Sequence, residues 1–308
     1  MEWVTLHAIA ISSALLSAFW AAVGIVVRQR VARGVADTSV TGAVVRQPLW
    51  WAGTLAAAAG YVFQALALAH GSLLLVQPLL VSSLLFALPI YARLTHDRVT
   101  RWEWLWAAVL AVALAVVVIV GDPAAGHARG SLDAWTVVAL VMGPLLALCV
   151  LGARIWRGRP PAPVLLAVVA GSSLALFAVL TKGVVVLLGH HGFGAVLAAP
   201  EFYAWILAAL AGMVFQQSAF RAGALTASLP TMYVAKPMVA SVLGVGVLGE
   251  TLNADGPEMG VLAAAVVVAV VATAALARGE AATIAAGAAS DVKIADRPSP
   301  GVLAEPIA

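Results

Sequence analysis

The chain has 308 residues, of which 63% are hydrophobic and 10% are charged, and its mean hydropathy is +1.03. A soluble domain carries about 25% charged residues, so this chain lacks the polar surface that a soluble protein needs. Its net charge is only +3 and the basic residues are dispersed between apolar runs, which excludes a nucleic-acid-binding face. A single cysteine, Cys149, excludes a disulfide framework. We therefore expect an integral membrane protein whose main partner is the lipid bilayer.

Nine stretches of the chain are long and apolar enough to span a membrane, for which a helix needs about 20 residues. In chain order these are 4–27, 49–69, 73–94, 104–120, 134–153, 164–188, 202–220, 225–248 and 257–277. The first is too long for a signal-peptide core and no basic residue precedes it, so we expect it to be retained. The pattern predicts an all-α integral membrane fold with about nine transmembrane helices.

The basic residues predict the orientation, because Lys and Arg are retained on the cytoplasmic side. Twelve arginines lie in alternate loops or after the last span: Arg28, Arg30, Arg33, Arg46, Arg93, Arg98, Arg101, Arg154, Arg157, Arg159, Arg221 and Arg278. The opposite loops hold one basic residue, Arg129. With no organelle signal, we expect a multi-pass plasma membrane protein with its N-terminus outside and its C-terminus in the cytoplasm.

An internal repeat is visible when the chain is shifted by 152 residues. Leu55–Pro78 then aligns with Leu207–Pro230 without a gap, and twelve positions are identical. The first helices of the two halves correspond more weakly through paired serines, at 12–13 and 172–173. A displacement by five helices inverts the second half, which is the plan of secondary transporters with a site between the repeats.

The repeat predicts the domain organisation. Residues 1–120 form the first four-helix repeat, 121–163 a connector with the fifth span, and 164–277 the second, inverted repeat. Residues 278–308 are Ala-rich, contain three prolines and show no apolar periodicity, so we expect a disordered cytoplasmic tail.

The two halves resemble the drug/metabolite transporter (EamA-like) superfamily. The relevant motifs are Ala65–Gly71 followed by Pro78, Ala219–Gly223 followed by Pro230, and Leu248–Leu252, which is similar to the superfamily's Gly-Glu-x-Leu signature. The first half departs from that signature at 91–96. Nine helices are similar to the layout of the magnesium-transporter-like NIPA-type branch, so the resemblance implies either a metabolite or Mg²⁺ as substrate.

Two lysines, Lys182 and Lys236, lie inside spans, where an ionisable group costs at least about 2.5–3.5 kcal/mol and marks a functional site. Lys236 is too far from either helix end to reach water. Small residues and Tyr233 share its helical face. We predict that both lysines bind the substrate or titrate during proton coupling; the alternative is that they bond carbonyls freed by a kink.

The repeat also pairs Gln64 with Gln216, each four residues after a glycine. These amides either bind a polar solute at the repeat interface or join helices. Tyr61 is a further candidate for lining the substrate site.

Prolines within spans free a carbonyl and kink the helix, so they are candidate hinges. The matched pair Pro78 and Pro230 is the strongest candidate, and Pro237 is a third. Glu250, at the end of the eighth span, is either a solvated helix end or a capping or gating residue.

The prediction for function is a secondary transporter that moves a small polar solute between its two halves, with a coupling proton or cation and without a cofactor. Because no Asp or Glu lies inside a span, electrostatics favours a neutral, zwitterionic or anionic metabolite over Mg²⁺, and no metal ligands are predicted. A channel or a non-transporting scaffold is the other alternative, and a homodimer is left open. We do not expect an enzyme, because no catalytic motif is present.

Overall fold

A computed structural model describes residues 2–33, 48–95, 100–222 and 225–295, and the structural statements below concern these residues. The elements in chain order are α1 (Glu2–Arg33), α2 (Pro48–His70), α3 (Leu73–Val81), α4 (Ser83–Thr95), α5 (Arg101–Gly121), β1 (Pro123–Ala124), α6 (Leu132–Ile155), α7 (Pro161–Ala198), α8 (Pro200–Ala222), α9 (Leu225–Leu248), β2 (Thr251–Leu252) and α10 (Pro257–Ala295).

Nine stretches of the described chain form helices that are long and apolar enough to cross a membrane. Only helices and closed barrels satisfy every backbone polar group within lipid, so the apolar runs of the sequence have little alternative. The all-α membrane fold with about nine transmembrane helices is confirmed. The loops that carry Arg46 and Arg98 lie outside the described residues.

The third span is two helices rather than the single helix predicted at 73–94. Helix α3 ends at Val81 and α4 begins at Ser83. The Ser82 hydroxyl donates to the Leu79 carbonyl at 2.6 Å, and Pro78 has no N–H to bond the carbonyl one turn earlier. These two interruptions of the backbone ladder place the break in the middle of the span.

The sixth span is longer than predicted and departs from helical geometry near its end. Helix α7 continues to Ala198, but Gly192 has φ +76° and ψ 179°. The backbone therefore bends there, in a conformation that glycine adopts without a steric penalty. The segment between the sixth and seventh spans, predicted as a loop, is mostly helical.

Helix α10 extends to Ala295, so residues 278–295 are not the disordered tail that the sequence predicted. The run is rich in alanine, the residue with the highest helix propensity, which explains why the helix continues past the last span. The remaining residues of the predicted tail, 296–308, lie outside the described residues.

Two short strands close one end of the bundle. β1 follows α5, β2 follows α9, and they pair antiparallel with Pro123 opposite Leu252 and Ala124 opposite Thr251. We call this end of the molecule the strand end. The pair connects a segment after the fourth span to one after the eighth, which hydropathy did not predict.

The main apolar core lies where α1, α3, α7 and α9 meet. It contains Ala14 of α1, Leu75 of α3, Ala178 of α7 and Leu243 of α9. Small residues let these helices approach closely, which is how helices associate where lipid removes the hydrophobic driving force. Elements from both halves of the chain therefore surround one interior.

Candidate functional site

A carboxylate is buried at the strand end, within this shared interior. Glu250 follows the last turn of α9, and the residue is 1% exposed. The backbone N–H groups of Leu73 and Leu74 donate to its two oxygens at 2.8 and 3.0 Å. Because those residues begin α3, the carboxylate lies where the helix dipole favours a negative charge.

Lys182 completes the site from α7. Its Nζ donates to Oε1 of Glu250 at 2.7 Å, and the two side chains are 6% and 0% exposed. Lys182 lies ten residues before the bend at Gly192, about 15 Å along the helix. A buried charged pair is tolerated because each charge compensates the other and the carboxylate has further donors.

The fold around α9 directs Glu250 inward. Gly249 has φ +64°, which reverses the chain, and the Glu250 N–H then donates to the Gly244 carbonyl at 3.0 Å. The glycine at position 244 leaves room for the carboxylate, because a Cβ there would lie 2.8 Å from Oε2 of Glu250. The two glycines therefore allow the carboxylate to fold back beside the helix that precedes it.

Residues 126–130 cover this turn, and we call them the lid. The His127 N–H donates to the Leu248 carbonyl at 2.6 Å. A Cβ on Gly126 would lie 2.0 Å from the same oxygen, so the lid backbone approaches closely only because this residue is glycine. The lid and the β1–β2 pair together hold the segment that carries Glu250.

The outer edge of the lid forms a second ion pair. The Arg129 guanidinium contacts the Glu201 carboxylate at the start of α8, with side chains 44% and 22% exposed. Beneath the pair is a cavity of about 10 Å³, roughly the size of one water molecule, which Val179 and Leu248 also line. The strand end is therefore closed in this structure.

Three polar side chains in the interior lack hydrogen bonds to other described residues. They are the amide of Gln77 on α3, the Ser228 hydroxyl on α9 and the amide nitrogen of Gln64 on α2. All three residues are at least 95% buried. Leaving a buried polar group unpaired costs about 1–3 kcal/mol, so such a group calls for a further partner, such as a bound water molecule or a ligand.

The second predicted lysine, Lys236, lies away from the first. It is half-buried on α9, and no carboxylate of the described residues lies within 4 Å of its ammonium group. Gly171 of α7 packs against its backbone nitrogen, with a Cβ position 3.2 Å away. Tyr233, one turn earlier, packs against a separate apolar cluster that contains Val81 and Leu84. The structure therefore does not bring the two lysines into one site.

The matched glutamines occupy different environments. Gln64 is buried, whereas Gln216 is half-buried. The glycines that precede them behave alike, since Gly60 packs against α1 and Gly212 packs against Leu174 of α7, each the preceding helix of its own half.

The remaining candidates are not part of the ion-pair site. Tyr61 is 53% exposed and contacts the Phe177 ring edge to face, with centroids 5.9 Å apart. Pro78 lies in the interrupted third span, whereas Pro230 and Pro237 lie inside α9, which is continuous. The two matched prolines thus have different consequences for their helices.

The burial of Glu250 was not predicted from the sequence. No Asp or Glu lies inside a span, but this did not exclude a carboxylate from the interior, because Glu250 follows a span and is nevertheless buried. Its partners Leu73 and Leu74 could not be recognised, since backbone donors leave no trace in the sequence. The available signal was the pair of glycines that precede it, Gly244 and Gly249. In the described residues, no group of three or more His, Cys, Asp and Glu side chains could hold a metal ion.

Comparison with known proteins finds an uncharacterized protein of Corynebacterium glutamicum that is 38% identical over 275 residues. The similarity covers 88% of this chain and 95% of that protein, so this chain belongs to the same family. No protein-family model matches the chain, and no solved structure matches it.

Proposed function

We propose that this chain, which belongs to the same family as the Corynebacterium glutamicum protein, is a secondary transporter that moves a small polar solute across the plasma membrane. The observation that carries the proposal is the buried ion pair between Lys182 and Glu250. Ionisable groups within a membrane are costly, and they concentrate along the pathways of substrates and coupling ions.

The hydrogen bonds of the paired carboxylate connect the two halves of the internal repeat. Leu73 and Leu74 belong to the first half, and Lys182 and Glu250 belong to the second. The carboxylate is held by the N-terminus of α3, at the start of the third span. Helix N-termini that face charged groups at a repeat interface are a recurrent feature of transporter sites.

The closed strand end supports alternating access. The lid, the β1–β2 pair and the contact between Arg129 and Glu201 cover the ion pair from one side. The predicted orientation places this side outside the cell. We infer that transport includes a second state in which the lid separates from Leu248–Leu252 and the pathway opens to the outside.

The charges at the site favour a neutral or zwitterionic metabolite over Mg²⁺. Lys182 and the two backbone donors already neutralise Glu250, so a divalent cation would have to displace an ammonium group to obtain one carboxylate ligand. Mg²⁺ requires near-ideal octahedral oxygen coordination. The magnesium alternative would therefore rely largely on amide, carbonyl or water oxygens, because the described residues contain no group of three or more His, Cys, Asp and Glu side chains.

Counterflow in liposomes tests the proposal. Purified protein is reconstituted with an internal pool of unlabelled solute, and uptake of external label is followed for amino acids, nucleosides, small organic anions and Mg²⁺. A carrier produces a transient accumulation of label that empty liposomes lack. Label that equilibrates without accumulation would indicate a channel, and a chemically altered solute would indicate an enzyme.

A further inference from the structure

The position of the Glu250 carboxylate has the composition of a carboxylate-binding site. One ammonium group, Lys182 Nζ, and two backbone N–H groups, of Leu73 and Leu74, converge on it within 3.0 Å. The next donor of α3, the Leu75 N–H, is already bonded to the Ser72 hydroxyl. Whatever replaces Glu250 must therefore offer oxygens with negative charge to these three donors.

A second observation indicates that more than Glu250 is accommodated here. Gln77 lies one turn after Leu73 and therefore on the same face of α3. That face packs on α9, since a Cβ on Gly244 would lie 3.3 Å from Leu73 Cβ and 2.8 Å from Glu250 Oε2. The amide of Gln77 is 99% buried, and neither its oxygen nor its nitrogen has a partner among the described residues. An unused donor and acceptor thus lie one turn further into the protein from the ion pair.

Glu250 is placed where it can leave the site. It belongs to the turn between α9 and β2, and its neighbours there are held by the lid and by the two-residue strand pair. Separation of the lid from this turn removes those contacts without unfolding a helix. Lys182, Leu73 and Leu74 remain on helices when Glu250 moves.

Charge balance then selects the class of ligand. A monocarboxylate entering beside Glu250 would place two carboxylates on one lysine, which is unfavourable in a low dielectric. A zwitterion avoids this cost, because its carboxylate can take the place of Glu250 while its ammonium group pairs with the displaced Glu250.

We propose that Lys182, Leu73 N–H and Leu74 N–H bind the carboxylate of a small, amino-acid-like zwitterion, and that Glu250 occupies this site in the closed state. The proposal rests on the proposed transport function for its place in a cycle, but the binding it predicts is measurable without transport.

The test is thermal unfolding of the full-length protein in detergent, with acetate, the common amino acids and methylammonium chloride as probes at matched ionic strength. A ligand that binds only the folded state raises the unfolding temperature. In the wild-type protein, one or more amino acids should stabilise and acetate should not. In Glu250→Ala the vacated cationic site should bind acetate at least tenfold more tightly than the wild-type site does, and Glu250→Ala/Lys182→Ala should lose this binding.

The controls separate folding from binding. If Glu250→Ala does not fold, Lys182→Gln is compared with the wild-type protein, and loss of amino-acid stabilisation in that variant supports the site. Insensitivity of both wild-type protein and Glu250→Ala to every carboxylate overturns the inference, as does an equal response to methylammonium. Amino-acid binding without counterflow supports the site and contradicts only transport, whereas counterflow of other solutes without carboxylate binding contradicts only the site.

Discussion

Lys182 and Lys236 are the same residue type on neighbouring helices, yet they differ in burial and in their charged partners. Lys182 is buried against the Glu250 carboxylate, whereas Lys236 is half-buried with no carboxylate of the described residues within reach. Both looked alike in the sequence, as single cations in apolar runs. The difference shows that a lysine inside a membrane helix can have its charge paired with a buried carboxylate or lie without such a partner.

The two lysines also mark different depths along one interface. Gly171 of α7 packs at the backbone of Lys236, and Lys182 lies eleven residues further along α7, about 16 Å towards the strand end. Because α7 and α9 both belong to the second half, the two lysines lie at different depths of that half.

The largest expected effect is on stability. Lys182→Ala leaves the Glu250 carboxylate buried without its cation, which should cost about 3–5 kcal/mol. Lys236→Ala removes a charge that has no carboxylate partner among the described residues and should leave the free energy of unfolding unchanged or higher. Thermal unfolding of the two variants in the same detergent makes the comparison. Equal destabilisation would show that the two lysines are structurally equivalent.

The environment of the ion pair can be changed without altering either charge. Gly244→Ala places a methyl group 2.8 Å from Glu250 Oε2 and should destabilise the protein by about 1–3 kcal/mol. Gly246→Ala is the matched control, because no atom lies within 4 Å of its added Cβ and alanine favours the helix. The same loss in both variants would indicate a general effect on α9 rather than displacement of the carboxylate.

Transport should also depend on Lys236, although this lysine is not expected to contribute to stability. Lys236→Ala is expected to fold and insert but to reduce counterflow at least tenfold, which corresponds to about 1.4 kcal/mol. Lys236→Arg should also impair counterflow, since a guanidinium group is larger and does not titrate. Normal counterflow in Lys236→Ala would assign this lysine to a structural contact at the kink beside Pro237.

The smallest effect is expected at the rim of the strand end. Arg129 and Glu201 are partly solvated, so Arg129→Gln should change the free energy of unfolding by at most about 1 kcal/mol. Any contribution should decrease with added salt. A loss as large as that of Lys182→Ala would mean that the exposed pair, rather than the buried one, holds the strand end closed.

The sequence predicts the spans well because lipid leaves few alternatives for an apolar run of 20 residues. It predicts the contacts of the site poorly. Lys182 and Glu250 are 68 residues apart, and helical spacing relates only residues within a turn or two. Hydropathy placed Glu250 at the water boundary, because Gly249 is compatible with a turn but does not show that the turn folds back into the bundle.

The sequence predicts the interruption of the third span only in part. Pro78 indicated a kink, but the break itself follows at Ser82, where the Ser82 hydroxyl donates to the carbonyl of Leu79. Neither the lid nor the strand pair could be predicted, since a five-residue segment and strands of two residues have no periodicity. The close approach of Gly126 to Leu248 depends on the packing of distant segments.

The most direct test of the transport cycle is a disulfide across the strand pair. Ala124 and Thr251 lie opposite each other in the antiparallel pair, at a separation that suits a disulfide. Ala124→Cys/Thr251→Cys is prepared with Cys149→Ser, and counterflow of the transported solute is measured after oxidation and again after reduction, with each single cysteine as control. We predict that oxidation stops counterflow and that reduction restores it, because the strand end must open in every cycle. Counterflow at the wild-type rate in the oxidised protein would contradict alternating access through this end of the molecule.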